Sequence, residues 1–225
     1  VDASALVARE HAPRLEPRAR AQLGERERRE LLREDRAERG VLLDRPRREQ
    51  EAELRVPRLV LREITQDDAP AFFAVRSDPR VMKYWSSLPV TTMEPIHAAI
   101  AQVIEGVRAG TSIRWAITDR ESGAFLGSGG FWRWDQRSFR GELGYDLGSA
   151  HWGKGLATEA LAAMLRYGWE TMKLHSAEAN VDPRNEASLR VLKKLGFVQE
   201  GLLKENFFVE GEFTDTAVLS LLAPR

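Results

Sequence analysis

The chain has 225 residues, in which 34 Lys and Arg balance 34 Asp and Glu, and it contains no Cys. A net charge of zero is unlike the basic surface of a nucleic-acid binder, and without cysteine there are no disulfides, cysteine nucleophiles or thiolate metal sites. The four histidines show no ligand spacing, and the sequence has neither a signal-peptide core nor the roughly 20 apolar residues of a membrane span. We therefore expect a cytoplasmic, metal-free protein that binds neither nucleic acid nor membrane.

Residues 1–55 differ in composition from the rest of the chain. About half of them are charged, mostly Arg and Glu, and the first aromatic residue is Phe72. Three prolines interrupt any helix there, and the leucines are too sparse for a coiled-coil seam. We predict a charged extension over 1–55, mobile or partly helical, with a partner-binding arm as the alternative. A single domain is predicted over 56–225.

The predicted elements of this domain begin with a strand, RLVLREI, and a helix, DDAPAFFAVRSD. A second helix is predicted within residues 91–110, because Thr91 and Glu94 form a capping-box pattern and apolar residues recur at helical period. That apolar stripe consists of Ile96, Ile100, Val103 and Val107. Three strands then follow, SIRWAIT, AFLGSGGFWRW and FRGELGYDLG.

The second half of the domain predicts a helix in LATEALAAMLRYGWETM, with Leu161, Met164, Leu165 and Met172 on one side. A strand, HSAEANV, precedes a short helix that ends at Gly196. A hairpin that starts at Phe207, FFVEGEFTDTAVLSLL, with Glu-Gly at its turn, completes the chain. Antiparallel hairpins followed by strand, helix, strand, helix and strand predict an α+β fold, with a mixed sheet covered by helices.

The stretch GSAHWGKGLATEA carries the first chemical motif. Its spacing is close to that of a P-loop, but Gly155 stands where a P-loop needs the hydroxyl that holds Mg²⁺. A glycine-rich turn that leads into a helix exposes backbone N–H groups at the positive end of the helix dipole, and Gly153 and Gly155 let a phosphate approach closely. A plain tight turn is the alternative. A metal-free pyrophosphate site, as coenzyme A would require, is equally compatible with this stretch.

A second segment, NVDPRNEASLRVLKKLGF, leads through a turn into a helix. Asn185 occupies the expected N-cap position, and Ser188 lies in the first helical turn. Each residue taken alone fits an ordinary structural role. Together with GELGYDL and HWGKGLATEAL, however, this segment resembles the GCN5-related N-acetyltransferase (GNAT) superfamily, and within it the RimJ/RimL-type branch, which acetylates α-amino groups of ribosomal and other proteins.

The resemblance covers residues 57–222 and implies a mostly antiparallel central sheet flanked by helices, with acetyl-CoA as cosubstrate. The family signature falls on residues 152–157, where Trp152 replaces the usual Arg or Gln. It implies a pyrophosphate on the backbone amides of this turn and a pantetheine arm along the strand before it. The coenzyme-binding residues implied are Tyr145, Leu147, Trp152, Gly153, Lys154, Gly155, Leu156, Ala157, Thr158 and Asn185.

The chemistry that follows is a direct attack of an amine on the thioester, because no nucleophile elbow is present. Glu142 is the predicted base, acting directly or through water, at a position where the branch usually carries an acidic residue; Asp146 is a weaker alternative. The position at which many members carry a tyrosine acid holds Leu192. We therefore predict that Ser188 donates to the leaving sulfur and that Asn185 holds the pantetheine amide.

The acceptor is predicted to be a primary amine that binds at a wall of aromatic and acidic residues. The enzyme is predicted to be a monomer or a homodimer. The residues proposed for that wall are Trp85, Trp132, Trp134, Phe139, Asp67, Asp68 and Glu142, although each aromatic residue taken alone fits a core role better than a pocket role. The predicted function is acetyl-CoA-dependent acetylation of a protein N-terminal α-amino group. Two alternatives remain: a small amine such as an aminoglycoside or amino acid as acceptor, and a catalytically silent acyl-CoA-binding protein.

Overall fold

The computed structural model describes residues 53–224, so residues 1–52 of the predicted extension lie outside the described residues. The first two residues of the sheet, Leu54 and Arg55, pair with Leu61 and Val60 and form a short edge strand. The sheet therefore begins just before the predicted domain start at residue 56. The extension itself stays a prediction.

Eight strands form one sheet in the order β1-β2-β3-β4-β5-β6-β8-β7, flanked in the described part of the chain by five α-helices. The strands are β1 (Leu54–Arg55), β2 (Leu59–Glu63), β3 (Ile113–Asp119), β4 (Phe125–Asp135), β5 (Arg140–Leu147), β6 (Ser176–Val181), β7 (Val198–Val209) and β8 (Glu212–Leu222). The helices are α1 (Ala69–Arg76), α2 (Pro79–Met82), α3 (Glu94–Ala109), α4 (Leu156–Glu170) and α5 (Glu186–Lys194). Every neighbouring pair is antiparallel except β5 and β6. The predicted mixed, mostly antiparallel sheet is confirmed.

Both faces of the sheet are covered because side chains alternate along each strand. On one face, buried residues of β3, β4 and β5 form the main core with α4, whose Leu161 and Met164 are fully buried as predicted. On the other face Ala116 of β3 packs with Phe72 of α1 and Ile100 of α3. Burying each of the larger side chains stabilises the fold by roughly 1.5–3 kcal/mol.

Two local predictions are wrong. Helix α3 begins at Glu94 with Met93 as its N-cap and no side-chain capping bond, so Thr91 does not form the predicted capping box. Strand β7 begins at Val198, well before the Phe207 at which the hairpin was expected to start. Most of β7 is exposed and does not alternate, so its extended form comes from pairing with β8. The hairpin turn at Glu210–Gly211, with both residues at positive φ, is confirmed.

The candidate site lies where strands β5 and β6 separate. Their parallel pairing runs from Arg140–Ser176 to Glu142–Glu178 and ends there. Beyond that point β5 stays paired with β4 as far as Leu147, while β6 stays paired with β8. The two strands diverge, and a cleft opens between them.

Candidate active site

The cleft has a volume of about 950 Å³ and gathers residues from several parts of the fold. Its walls are β4, β5 and β6, the start of α5, the segment after α2, and the β7–β8 hairpin. Four of the predicted site residues line it together: Glu142, Tyr145, Asn185 and Ser188. Glu142 therefore meets the other two catalytic candidates, which come from a later segment of the chain, in one cavity.

Glu142 has the most distinctive environment in the cleft. It is only 8% exposed, and its Oε2 atom lies 3.0 Å from Nη1 of Arg133. The Oε2 atom is buried. Because the ion pair lacks hydrogen-bonding geometry, Oε2 accepts no hydrogen bond from residues 53–224. A buried carboxylate oxygen with unused acceptor capacity suits a group that takes a proton from a substrate.

Asp146 lies on the same face of β5 but is not available as a base. Its side chain is fully buried and binds Arg76 at 2.9 Å and Arg114 at 2.8 Å. Its second oxygen accepts from the backbone and hydroxyl of Ser128. Burial lowers the pKa of Arg114, and the negative charge of Asp146 opposes that change. Asp146 is therefore a structural counter-ion, and the weaker alternative of the sequence analysis is wrong.

On the opposite face of β5, Tyr145 reaches toward α5. Its hydroxyl lies 3.5 Å from Oγ of Ser188, and burial raises the pKa of the phenol, which stays protonated at neutral pH. Asn185 is the N-cap of α5, since its Oδ1 accepts from the Ser188 amide at 3.1 Å. The sequence analysis placed the pantetheine arm along this strand but gave the Tyr145 hydroxyl no role. The hydroxyl contact depends on the packing of α5 against β5, which no local pattern encodes.

The glycine-rich turn is built to expose its backbone. Gly153 and Gly155 have φ of 73° and 77°, in the left-handed region that favours glycine, and nothing lies within 4 Å of a Cβ added at Gly153. Within residues 53–224, no acceptor is bonded to the amides of Gly153, Lys154 or Gly155. Helix α4 starts at the next residue, so its first-turn amides add to this set. The turn fits an anionic group such as a pyrophosphate.

The other residues predicted at the turn differ in what they can offer a coenzyme. Nζ of Lys154 donates to the Ala150 carbonyl at 3.0 Å, within its own loop. Nε1 of the half-exposed Trp152 donates to the Leu147 carbonyl at 2.7 Å. Leu156 is buried in the main core, so only its backbone is available. The sequence analysis missed one side chain here: the guanidinium of Arg58 donates to the Lys154 carbonyl at 2.8 Å.

Ala157 and Thr158 follow Leu156 in the first turn of α4, and both are partly buried. Like the glycine turn itself, these two residues and Leu147 lie outside the walls of the cleft, which reaches β5 only as far as Tyr145. The turn and the cleft are therefore two parts of one predicted coenzyme path, joined by the end of β5.

The predicted acceptor wall is only partly correct. Trp85 and Trp132 line the cleft. Trp134 packs against the main core instead, and Phe139 is 51% exposed outside the cleft. Asp68 is buried and bound by Arg62, and neither it nor the exposed Asp67 reaches the cleft. Asp67, Asp68, Trp134 and Phe139 are therefore not part of an acceptor site in this cleft.

In the part of the chain that the structure describes, no group of three or more His, Cys, Asp or Glu side chains is placed to hold a metal ion. Every helix within residues 53–224 is too short or too polar to cross a membrane.

A mostly antiparallel sheet whose two parallel strands diverge beside a glycine-rich turn is the fold of the GNAT N-acetyltransferases. The Acetyltransferase (GNAT) domain family matches residues 58–198. An uncharacterized N-acetyltransferase, p20 of Bacillus licheniformis, is 36% identical over 73% of this chain and 93% of its own length. The chain belongs to the GNAT acetyltransferase family and is an acetyl-CoA-dependent N-acetyltransferase.

Two other proteins are also similar to this chain, one in structure and one in sequence. The crystal structure of a GNAT acetyltransferase from Bacillus anthracis superposes with a TM-score of 0.68 and 26% identity, over 76% of this chain and 98% of that one. The [ribosomal protein uS5]-alanine N-acetyltransferase of Escherichia coli is 31% identical over 56% of this chain and 66% of its own length.

Proposed function

We propose that this enzyme belongs to the RimJ/RimL-type branch and acetylates the α-amino group of a protein N-terminus. The observation that carries the proposal is the buried, unbonded Oε2 of Glu142 in a cleft of about 950 Å³. A cleft of this size leaves room for a peptide end beside the thioester. The similarity to an enzyme named for acting on alanine of ribosomal protein uS5 supports the same acceptor class.

The proposed coenzyme path has two parts. The amides of residues 153–155 and the first turn of α4 hold the pyrophosphate, with Trp152, Leu156, Ala157 and Thr158 shaping that turn. The edge of β5 that faces β6 is free of strand pairing beyond Glu142 within the described sheet, so the backbone near Tyr145 is open to the extended pantetheine arm. At Leu147 the carbonyl on this edge already accepts from Nε1 of Trp152, so the arm would have to displace that bond or use the Leu147 amide. Asn185, with its Oδ1 engaged by Ser188, offers its amide NH₂ group to a pantetheine carbonyl.

The proposed transfer forms a C–N bond and breaks the C–S bond of the thioester. An α-amino group has a pKa of about 7.7–8.0, so part of it is already neutral at pH 7. Glu142 takes the proton that the amine loses on attack, directly or through one water, and Arg133 balances the charge on the carboxylate. The departing thiolate is stabilised by the Ser188 hydroxyl and the N-terminus of α5.

A small cationic amine is the second candidate acceptor, and one observation favours it. Carboxylates outnumber basic groups along the cleft, which would attract an amine with more than one positive charge. The acidic residues that line it are Glu142, Glu178, Asp182, Glu210, Glu212 and Asp215, and the basic ones are Lys83, Arg133 and Arg184.

The deciding experiment measures thiol release from acetyl-CoA with two matched acceptor sets. One set holds N-terminal peptides with a free or a formylated α-amino group, each also carrying a lysine; the other holds amino acids, aminoglycosides and polyamines. We expect thiol release and a mass increase of one acetyl group only with free α-amino peptides. Turnover confined to small amines would reassign the substrate, and no turnover with any amine would favour a silent acyl-CoA-binding protein.

Four further properties remain proposals. We propose that the chain divides near residue 55 into a charged N-terminal extension and the acetyltransferase domain, whose sheet already includes Leu54 and Arg55. We also propose a cytoplasmic enzyme that acts as a monomer or homodimer without a metal.

A further inference from the structure

Arg58 connects the start of the sheet to the glycine-rich turn, although 96 residues separate it from Lys154. Its backbone amide and its Nε each donate to Glu159 at 2.7 Å. Its Nη1 donates to the Lys154 carbonyl at 2.8 Å. Glu159 lies in the first turn of α4, so a single arginine holds both the turn and the helix that follows it.

The bond to the Lys154 carbonyl determines where the next amide points. A trans peptide is planar, with its carbonyl and N–H directed to opposite sides. Fixing the Lys154 carbonyl on Arg58 therefore directs the Gly155 amide away from Arg58, and within residues 53–224 that amide has no acceptor. The flanking glycines, Gly153 and Gly155, would otherwise allow this peptide to rotate, because glycine accepts both signs of φ.

The remaining nitrogen of the guanidinium faces the space that a side chain at residue 155 would fill. Nη2 of Arg58 lies 3.6 Å from the position of a Cβ added at Gly155. The Lys154 ammonium, by contrast, is engaged with the Ala150 carbonyl. In the side-chain arrangement seen here, Arg58 is the cation that the fold fixes against the turn.

We propose that Arg58 is a positioning residue for the phosphate site: it fixes the Lys154–Gly155 peptide so that the Gly155 amide is exposed to a coenzyme phosphate. This inference rests on the proposed coenzyme site at the turn. It adds a residue that lies outside the family signature at residues 152–157 and that is brought there only by the packing of β2 against α4.

The test compares two acetyl donors in Arg58→Ala. Acetyl-CoA carries the phosphates, whereas S-acetylpantetheine has the same thioester without them. We expect the KM for acetyl-CoA and the Kd for coenzyme A to rise by about tenfold, as for the loss of one hydrogen bond to a charged group, with kcat retained. The kcat/KM for S-acetylpantetheine should not change. Equal losses with both donors, or no loss with either, would reject the positioning role.

Matched variants keep the test decisive. Arg62→Ala removes another arginine from the same segment, one that pairs with Asp68 and not with the turn, and should leave both donors unaffected. Arg58→Lys keeps the charge but not the fork that reaches both Glu159 and Lys154, so it should show a smaller loss confined to acetyl-CoA. If Arg58→Ala does not fold, Arg58→Lys takes its place in the comparison of the two acetyl donors. Coenzyme A binding needs no acceptor, so a wrong acceptor assignment leaves this result interpretable.

Discussion

The two ends of the predicted substrate path are built in different ways. At the coenzyme end, residues 153–155 and the start of α4 offer backbone amides from one short stretch of chain. At the acceptor end, the cleft is lined by side chains from β4, β5, β6, α5 and the β7–β8 hairpin. Backbone amides bind a phosphate whatever its attachments, whereas an acceptor is selected by side chains. The coenzyme end should therefore tolerate most side-chain changes, and the acceptor end should not.

The largest effect is expected from Glu142→Gln at the acceptor end. Glutamine keeps the shape but cannot take a proton, so kcat/KM for the amine should fall by about 10²–10⁴-fold while coenzyme A binding is retained. Steady-state kinetics with the best acceptor, together with coenzyme titration, would measure this. Glu178→Gln is the matched control, because Glu178 pairs in register with Glu142 but is already bonded to Asn180. Equal losses in both variants would mean that charge, not proton transfer, matters.

A smaller effect on catalysis is expected from Ser188→Ala, because Ser188 lies where the coenzyme end and the acceptor end of the path meet. The hydroxyl acts when charge develops on sulfur, so kcat should fall while the Kd of acetyl-CoA stays nearly constant. The loss should not exceed about 2.7–4 kcal/mol, the range for oxyanion-hole donors, because sulfur accepts hydrogen bonds weakly. Single-turnover rates would isolate the chemical step. A wild-type rate would leave Ser188 as an ordinary first-turn residue.

Gly155→Val tests the coenzyme end. A branched side chain would fill the space left open over the turn and weaken coenzyme A binding by about tenfold or more, without a change in the amine KM. The backbone strain needs its own control, because Gly155 has a φ of 77°. Gly123→Val supplies it, with a φ of 71° and open space in the turn between β3 and β4. Similar losses of coenzyme affinity in both variants would remove the turn as the phosphate site.

The smallest effect is expected from removing residues 1–52, since both ends of the path lie within residues 53–224. Kinetic constants and melting temperature should match those of the full chain. Removing residues 1–55 also deletes strand β1, including Leu54, which packs against the main core. That shorter chain should be less stable by about 1 kcal/mol but equally active. Inactivity of the longer truncated chain would show that the extension takes part in function.

Some elements of this protein were predictable from the sequence because their signals are local. The apolar period of α4, the two glycines before it and the Glu-Gly turn of the last hairpin each lie in one short segment, and the structure confirms all three. Strand β7 was only partly predicted, because its exposed residues carry no pattern and its extended form depends on β8. The capping box at Thr91 was wrongly predicted for the opposite reason. The local pattern is present, but the helix begins at Glu94 with Met93 as its N-cap, so Thr91 does not cap it.

The candidate site divides in the same way. The sequence by itself determined the glycine turn and the family resemblance, because backbone conformation there depends on glycine at particular positions. Only the tertiary structure decided what each ionisable side chain can do. Glu142 and Asp146 are four residues apart on one face of β5, yet Asp146 meets two part-buried arginines and Glu142 keeps an oxygen without a hydrogen bond in the cleft. Their difference depends on partners distant in sequence, as does the contact of Arg58 with the turn, and such partners meet only when the sheet and helices pack.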